Sequence, residues 1–265
     1  MKALLEIKNL SLVHEEKTIL KNINFSVNKG EIIALIGNNG VGKTMLSRAI
    51  LGLLPNNINV KGDIFYDNSL LNKALQESLR GNEISYIPQF ISYLDPLMKV
   101  GIASCAKYSK NRNIYKKVLE AFEFFGLHEE VLNMYPNELS GGMARKILII
   151  TALISSPNLV IADEPTSSLD AQSILKLLEV FRKLKSENKA VIFITHDILL
   201  ATKIADKIII LNNGIVEEIT HAKSFIDGIG LKSEYAKAIF DTFTFNNFSN
   251  SKYLHIKMKD EIANS

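Results

Sequence analysis

Apolar positions along this chain follow two different rhythms. They alternate with polar ones in Leu5-x-Ile7-x-x-Leu10-x-Leu12 and in Ile23-x-Phe25-x-Val27, the pattern of strands with one face buried. Polar Glu15-Glu16-Lys17 joins the two, and Asn28-Lys29-Gly30 ends the second. After the break at Pro55-Asn56-Asn57, Lys61-Gly62-Asp63-Ile64-Phe65-Tyr66 reads as a further strand of the same small antiparallel β unit. Elsewhere the apolar runs are unbroken: Ile32 to Ile36, Leu159 to Ala162, Val191 to Ile194 and Ile208 to Leu211 predict strands buried on both faces, and Ile84 to Pro88 a shorter one ending at Gln89. Helical spacing fills the intervals, in Met45 to Leu51, in Ala171 to Asn188 and in a segment running through Ala205. Strands alternating with helices imply a parallel sheet covered on both faces. From Phe90 to Ser156 the pattern is helical, as in Asn113 to Phe125, where Val118, Leu119, Phe122 and Phe125 share a face and Gly126 stops the helix. This stretch reads as a helical subdomain inserted into the core. Asn213-Gly214 before Ile215-Val216 is a hairpin signal. Near the end, Leu254-x-Ile256-x-Met258 reads either as a terminal strand or as a frayed tail.

Composition narrows this picture. With 265 residues, 47% of them hydrophobic, the chain can bury a large core, as one large domain or a core with an attached subdomain. A net charge of +3 gives no strong basic field and no argument for nucleic acid. Cys105 is the only cysteine, so neither an internal disulfide nor a Cys-rich metal site is available, and the expected compartment is the cytosol. Met1 to Glu6 runs straight into a strand pattern with no signal-peptide architecture, and no apolar stretch reaches the ~18 to 20 residues of a membrane span. Work at a membrane would therefore go through a partner.

Between the strand at Ile32 and the helix at Met45 lies Gly37-Asn38-Asn39-Gly40-Val41-Gly42-Lys43-Thr44, which satisfies G-x-x-x-x-G-K-[ST] in the strand-to-helix context that pattern requires. Glycine suits 37, 40 and 42 because backbone N–H groups must turn inward around phosphate oxygens where a Cβ would obstruct. The helix start adds its positive dipole end, Lys43 a point charge for the β- and γ-phosphates, and the Thr44 hydroxyl a ligand for Mg²⁺.

The strand Leu159 to Ala162 ends in Asp163-Glu164, and ligands of a parallel sheet bind at the carboxyl ends of its strands. Asp163 is the expected Mg²⁺ partner, and Glu164 the expected general base or water-orienting group for attack on the γ-phosphate. Pro165-Thr166-Ser167-Ser168-Leu169-Asp170 follows as a polar turn, with Asp170 placed to cap the next helix. Leu139-Ser140-Gly141-Gly142-Met143 opens another helix. Ser140 can serve there as a simple N-cap, or the glycines can expose N–H groups to an anion. Two phosphate-binding helix ends in different subdomains of one chain suggest a nucleotide held between two chains.

The phosphate loop, Gln89, Leu139 to Met143, the strand ending in Asp163-Glu164, Ser168-Leu169-Asp170 and Ile194-Thr195-His196-Asp197 occur in the order found in ABC transporter ATPase subunits. The resemblance covers about residues 4 to 220. It implies an α/β fold, a phosphate-loop core with a parallel sheet, an N-terminal antiparallel β unit and an inserted helical subdomain. The ATPase domain would span 1–220, with its core in 1–89 and 157–220 and the helical subdomain in about 90–156, followed by a C-terminal extension, 221–265. It also implies that Gln89 senses γ-phosphate and Mg²⁺, that Leu139 to Met143 contact the opposing chain's ATP, that Asp170 lies at the dimer seam and that His196 touches the γ-phosphate. His14, His128, His221 and His255 have no spacing of a metal site.

The signature with Met143 and the run Ile161 to Thr166 are similar to the peptide- and nickel-importer branch, and Ser233 to Ile239 is similar to that branch's C-terminal segment without its usual His-Pro. The chain departs from the pattern in three ways. His14 stands where a base-stacking aromatic is expected, Arg145-Lys146 replaces the usual Gln-Arg, and the longer Cys-containing extension of many peptide members is absent. The shorter nickel-type subunits fit better. The expectation is an ATP- and Mg²⁺-dependent ATPase at the cytoplasmic face of a membrane, peripheral. Its partners would be a second ATPase chain, the same or different, membrane permease subunits and, indirectly, a substrate-binding protein. The rivals are a non-transport ABC ATPase of translation or DNA maintenance, which usually has a second core or a basic extension, and a binding module without turnover. Intact Lys43, Asp163, Glu164 and His196 argue against the latter.

Overall fold

The computed structural model describes residues 3–105 and 112–249. Strands β1 (Ala3–His14) and β2 (Lys17–Asn28) pair antiparallel around a turn in which Glu15 takes φ 52°. β3 (Ile32–Ile36), buried at every residue, leads through the phosphate loop into α1 (Lys43–Leu51). β4 (Ile58–Tyr66) and β5 (Ser69–Leu70) complete a four-stranded sheet of order β2-β1-β4-β5. Helix α2 (Lys73–Leu79) and strand β6 (Ile84–Ile87) follow. The next segment has no strand among its described residues: it contains α3 (Val100–Cys105), α4 (Arg112–Phe125) and α5 (Gly141–Leu153), with 3-10 turns at Ile91–Tyr93, Glu129–Asn133 and Pro136–Glu138. The chain then returns to the core with β7 (Leu159–Asp163), α6 (Ala171–Ser186), β8 (Ala190–Ile194), α7 (Ile198–Ile204) and β9 (Lys207–Asn212). It closes with β10 (Ile215–His221), α8 (Ala222–Asp227) and α9 (Glu234–Ser249).

The second sheet has six strands in the order β10-β9-β3-β8-β7-β6, parallel except for β10, which pairs antiparallel with β9 through the Asn213-Gly214 hairpin. Its two faces bury different residues of the same strands, as the period of two demands. On β3, Ile33 and Leu35 join Leu5, Leu20, Leu46 and Ile50 between the two sheets, together with Ile161 and Ile192. On the opposite face, Val160, Phe193 and Ile32 pack with Val118, Ile147, Leu177 and Phe181 of the helices. Burying each such side chain contributes roughly 1.5 to 3 kcal/mol, so the sheet that carries the loops is anchored from both faces.

The structure adds elements that the hydrophobic pattern did not announce. Helix α2 buries none of its side chains fully, and its Leu75 and Leu79, half-buried and four apart, make too short a stripe to read over seven residues; Asn72 caps its start, and the Gln76 amide donates to Ala49 O and Ile50 O at 2.8 and 3.1 Å. Helix α6 stops at Ser186, short of Asn188, because Asn188 turns left-handed at φ 59°. The C-terminal helices α8 and α9 pack on the core face of Ala34, Ile36 and Ile208 through Phe225, Leu231 and Ala236. Glu218 of β10 holds the start of that segment by accepting from Lys232 N and Ser233 N. The terminal pattern Leu254 to Met258 lies outside the described residues.

Candidate nucleotide site

The loop from Gly37 to Gly42 is shaped by close approaches. A Cβ on Gly37 would lie 2.2 Å from Leu211 O, and one on Gly42, at φ 104°, 2.5 Å from the Leu20 side chain. Both positions therefore require glycine. Helix α1 starts at Gly42 with no side chain capping it, so its first N–H groups are left to an outside anion. Lys43 is buried, and its ammonium donates to Gly37 O (2.6 Å) and Asn38 O (2.9 Å), bracing the loop as well as charging it. Burial pulls its pKa below the usual lysine value, against the opposing pull of Glu164 and Asp163.

The carboxylates at the end of β7 face this loop. The Thr44 hydroxyl donates to Asp163 Oδ2 at 2.7 Å, and the Tyr86 hydroxyl reaches the same oxygen at 3.2 Å. Burial pushes the Asp163 carboxyl above its ordinary value, while these hydrogen bonds and the charge of Lys43 act the other way. Glu164 takes the left-handed conformation at φ 48°, a strained state for a residue with a Cβ and one that concentrates at functional sites. Its Oε1 lies 2.9 Å from His196 Nδ1, with the histidine largely exposed and the glutamate buried. A cavity of about 240 Å³ collects Asn39, Gly40, Gly42, Lys43, Thr44, Gln89, Asp163 and Glu164. A second cavity of about 550 Å³ meets it at Ile19, Asn39 and Gly40 and extends past Val41 to His14, Lys17, Thr18 and the Asn213-Gly214 turn. His14, whose Nε2 lies 2.7 Å from the Asn57 side-chain amide, thus forms a wall beside the loop at a distance from the carboxylates.

The structure keeps Leu139 to Met143, Asp170 and His196 out of the lining of these cavities, His196 being joined to them through Glu164. None of Leu139 to Met143 lines either cavity. Instead Ser140 caps α5, its Oγ accepting from Met143 N at 3.2 Å, and a Cβ on Gly142 would come within 3.1 Å of Ser168 O. Asp170 caps α6, accepting from Ser173 N at 2.8 Å, and lies 3.7 Å from Lys146 on α5. Tyr86, Ser167 and the bonds of Arg145 escaped the sequence reading. Tyr86 carried no motif, and Arg145 was legible only as a departure from a family pattern.

A glycine-rich loop, an uncapped helix start, a buried lysine and a hydroxyl-carboxylate pair on one sheet edge define a phosphate-loop nucleotide-binding protein. The ABC transporter family profile matches residues 20–167, and the chain belongs to that family. It is 32% identical over 225 residues, 80% of this chain and 83% of the relative, to the metal-staphylopine import system ATP-binding protein CntD of Staphylococcus aureus. It is 33% identical over 243 residues, 84% of this chain and 68% of the relative, to the oligopeptide transport ATP-binding protein OppD of Bacillus subtilis. Among solved structures, an ATP binding subunit of an ABC transporter superposes with TM-score 0.76 and 28% identity, covering 90% of this chain and 99% of that one. A dimeric ATP-binding cassette in a post-hydrolysis state, bound to ADP and Pi, superposes with TM-score 0.73 and 28% identity, covering 82% and 98%. The chain is an ATP-hydrolysing transporter subunit with the ABC ATPase fold, and its resemblance to the peptide- and nickel-importer branch holds in these relatives. Among the described residues, no helix is long and apolar enough to cross a membrane.

Proposed function

We propose that this chain powers the import of small peptides, nickel or another metal chelate through separate membrane subunits, from the cytoplasmic face of the membrane. The observation that carries the reading is the meeting, around one cavity, of the phosphate loop, the Thr44–Asp163 pair and Glu164, with His196 held against Glu164 from outside the cavity lining. The relatives named above act in oligopeptide and metal-staphylopine import, which supports this cargo class; a substrate-binding protein would engage the permease and not this chain.

The oxygen donors of Thr44 and Asp163, with Gln89 on the same cavity wall, suit a hard cation such as Mg²⁺. Among the described residues no three His, Cys, Asp or Glu side chains form a metal site of their own, so such an ion would be held jointly with the phosphates. Bound there, Mg²⁺ would neutralise developing phosphate charge. Lys43 holds the β- and γ-phosphates. Glu164 orients the attacking water and takes its proton, and His196, held to Glu164, contacts the γ-phosphate. Gln89 senses the γ-phosphate and Mg²⁺ from the same cavity, while Leu139 to Met143 and Asp170 act where a second ATPase chain, identical or related, closes the site. His14 lines the base pocket.

Within the helical subdomain of about 90–156, the segment from about Phe90 to Met134 docks onto a permease, with Gln89 as its hinge to the core. Support comes from apolar side chains left exposed just after Gln89: Phe90, Ile91, Tyr93 and, at 88% exposure, Leu97. The test is cross-linking from cysteines introduced at Phe90 and Leu97 in membranes that contain candidate permeases from neighbouring reading frames. Adducts with the permease are expected. Adducts only with another ATPase chain would reject the docking assignment.

A further inference from the structure

Helix α5 carries a buried guanidinium that ties three segments together. Arg145 is 2% exposed, and four of its N–H···O contacts leave the helix. Nη1 donates to Pro88 O at 2.5 Å, Nη2 donates to Gln89 O and to Ser167 Oγ (2.7 Å), and Nε donates to Ser167 O at 3.2 Å. Ser167 in turn donates twice to Glu164 O, from its hydroxyl (3.0 Å) and from its backbone N–H (3.2 Å). One planar group therefore reaches Gln89 on one side and, through Ser167, the strained Glu164 on the other.

All four acceptors are neutral. Burial lowers the Arg145 pKa, while the nearby charges of Asp163 and Glu164 pull it back up, so an ion that is costly to desolvate is kept where a neutral filler would pack more cheaply. What arginine provides that a shorter or flexible side chain does not is a rigid fork whose donors fix two acceptor segments at a set spacing. Its base is on α5, which belongs to the helical segment and not to the sheet.

We propose that Arg145 is a positioning residue that sets Gln89 and Glu164 relative to each other and to α5. Displacement of the helical segment is thereby carried to both walls of the γ-phosphate pocket at once. The proposal rests on the roles given to Gln89 and Glu164 above. It predicts a defect in rate and not in nucleotide affinity, because no atom of Arg145 belongs to the lining of the phosphate cavity.

The test uses the full chain with Arg145→Met, Arg145→Lys, Arg145→Gln and Ser167→Ala. Steady-state ATP hydrolysis, equilibrium binding of a fluorescent ATP analogue and thermal melting are measured for each. Arg145→Met should keep ATP affinity and lose at least about tenfold in kcat with KM little changed, the scale expected when reacting groups are displaced by a fraction of an ångström. Arg145→Lys, with the charge but no fork, should not restore the rate, whereas Arg145→Gln should restore part of it. Ser167→Ala should lose about threefold, and the Arg145→Met/Ser167→Ala double variant should be no slower than Arg145→Met alone, because the two act through one link. Folded variants with wild-type kcat, or effects of the two sites that simply multiply, would overturn the proposal. If Arg145→Met does not fold, Arg145→Gln and Ser167→Ala decide in the same way. A Glu164→Gln protein that still turns over at the wild-type rate would instead reject the underlying site reading; an inactive Glu164→Gln beside wild-type-like Arg145 and Ser167 variants rejects only the role of Arg145.

Discussion

Helices α1 and α5 both begin at glycines, and both starts expose N–H groups, yet they end up in opposite conditions. The start of α1 has no side-chain cap, is threaded by a lysine bound to its own loop and opens into a cavity that also holds Asp163, Glu164 and Gln89. The start of α5 is capped by its own Ser140 and packs Gly142 against Ser168 O, away from that cavity. An anion at α1 meets donors with nothing to give up. At α5 it must compete with a serine hydroxyl. The difference assigns single-chain nucleotide affinity to the first helix end, and in the function proposed above the second meets a phosphate only when an opposing chain brings one. Binding and association are then linked, each strengthening the other by the same factor.

The sharpest way to test this division is to remove the chemistry and leave both helix ends intact. Glu164→Gln should lower phosphate release by ~10² to 10⁴, the usual cost of losing a general base, while ATP binding persists. Under saturating ATP this protein should associate, alone or with its partner ATPase, as sedimentation would show. A persistent monomer in both settings would remove the need for α5 altogether.

The next test separates the ends. Lys43→Ala should weaken nucleotide binding itself, because the lost charge faces the phosphates before and during reaction; His196→Ala should lower kcat and leave affinity nearly unchanged. Equilibrium binding and turnover on the same preparations distinguish the two. Ser140→Arg should do the reverse of Lys43→Ala: ATP affinity of the monomer stays close to wild type and nucleotide-driven association is lost. If the chain forms a symmetric dimer, mixing the Ser140→Arg and Lys43→Ala chains assembles one site with both lesions and one with neither, so hydrolysis should partly return once heterodimers are verified. Weakened ATP binding by isolated Ser140→Arg would collapse the distinction between the two helix ends.

The smallest effect concerns Asp170, which caps α6 and lies beside Lys146 of α5. Its carboxyl titrates below the usual aspartate value, chiefly because Ser173 N–H donates to it. The folded value being depressed, the stabilisation is present above the unfolded pKa and lost as pH falls through the folded one. Asp170→Ala should therefore cost ~1 kcal/mol of stability near neutrality, the worth of an N-cap, with the deficit in melting temperature shrinking in acid. A stability loss with normal association leaves Asp170 as a cap only; loss of association beyond that supports its place at the seam.

What the sequence revealed and what it hid divide along a physical line. Buried strands announce themselves by composition, and the phosphate loop by spacing, because both are properties of contiguous residues. Helix α2, seven residues long with Leu75 and Leu79 only half-buried, offered too short a period to read, and β5 is only two residues long. The C-terminal helices were missed although Ala236 and Phe225 are buried, since the face they cover is assembled from both ends of the chain, Ala34 and Ile36 together with Ile208 and Ile210. The site shows the same division. Lys43, Thr44, Asp163 and Glu164 came from motifs, whereas Tyr86 meets Asp163 across 77 positions and Arg145 meets Pro88 across 57. No local pattern encodes such pairs.

The larger cavity beside the phosphate loop carries a consequence for how this chain can change over generations. The phosphate cradle is a single octapeptide in which substitutions at Gly37 and Gly42 collide with Leu211 O or Leu20, so selection holds it as one block. The wall reaching to His14 shares Asn39 to Val41 with that loop and adds two remote stretches, at 14–19 and 213–214, where Lys17 and Thr18 are exposed to solvent. Single replacements at such surface positions are normally tolerated within about half a kcal/mol. In the function proposed above, with the base in this cavity, replacements at His14, Lys17 or Thr18 can shift nucleobase preference without touching Lys43, Thr44 or Asp163.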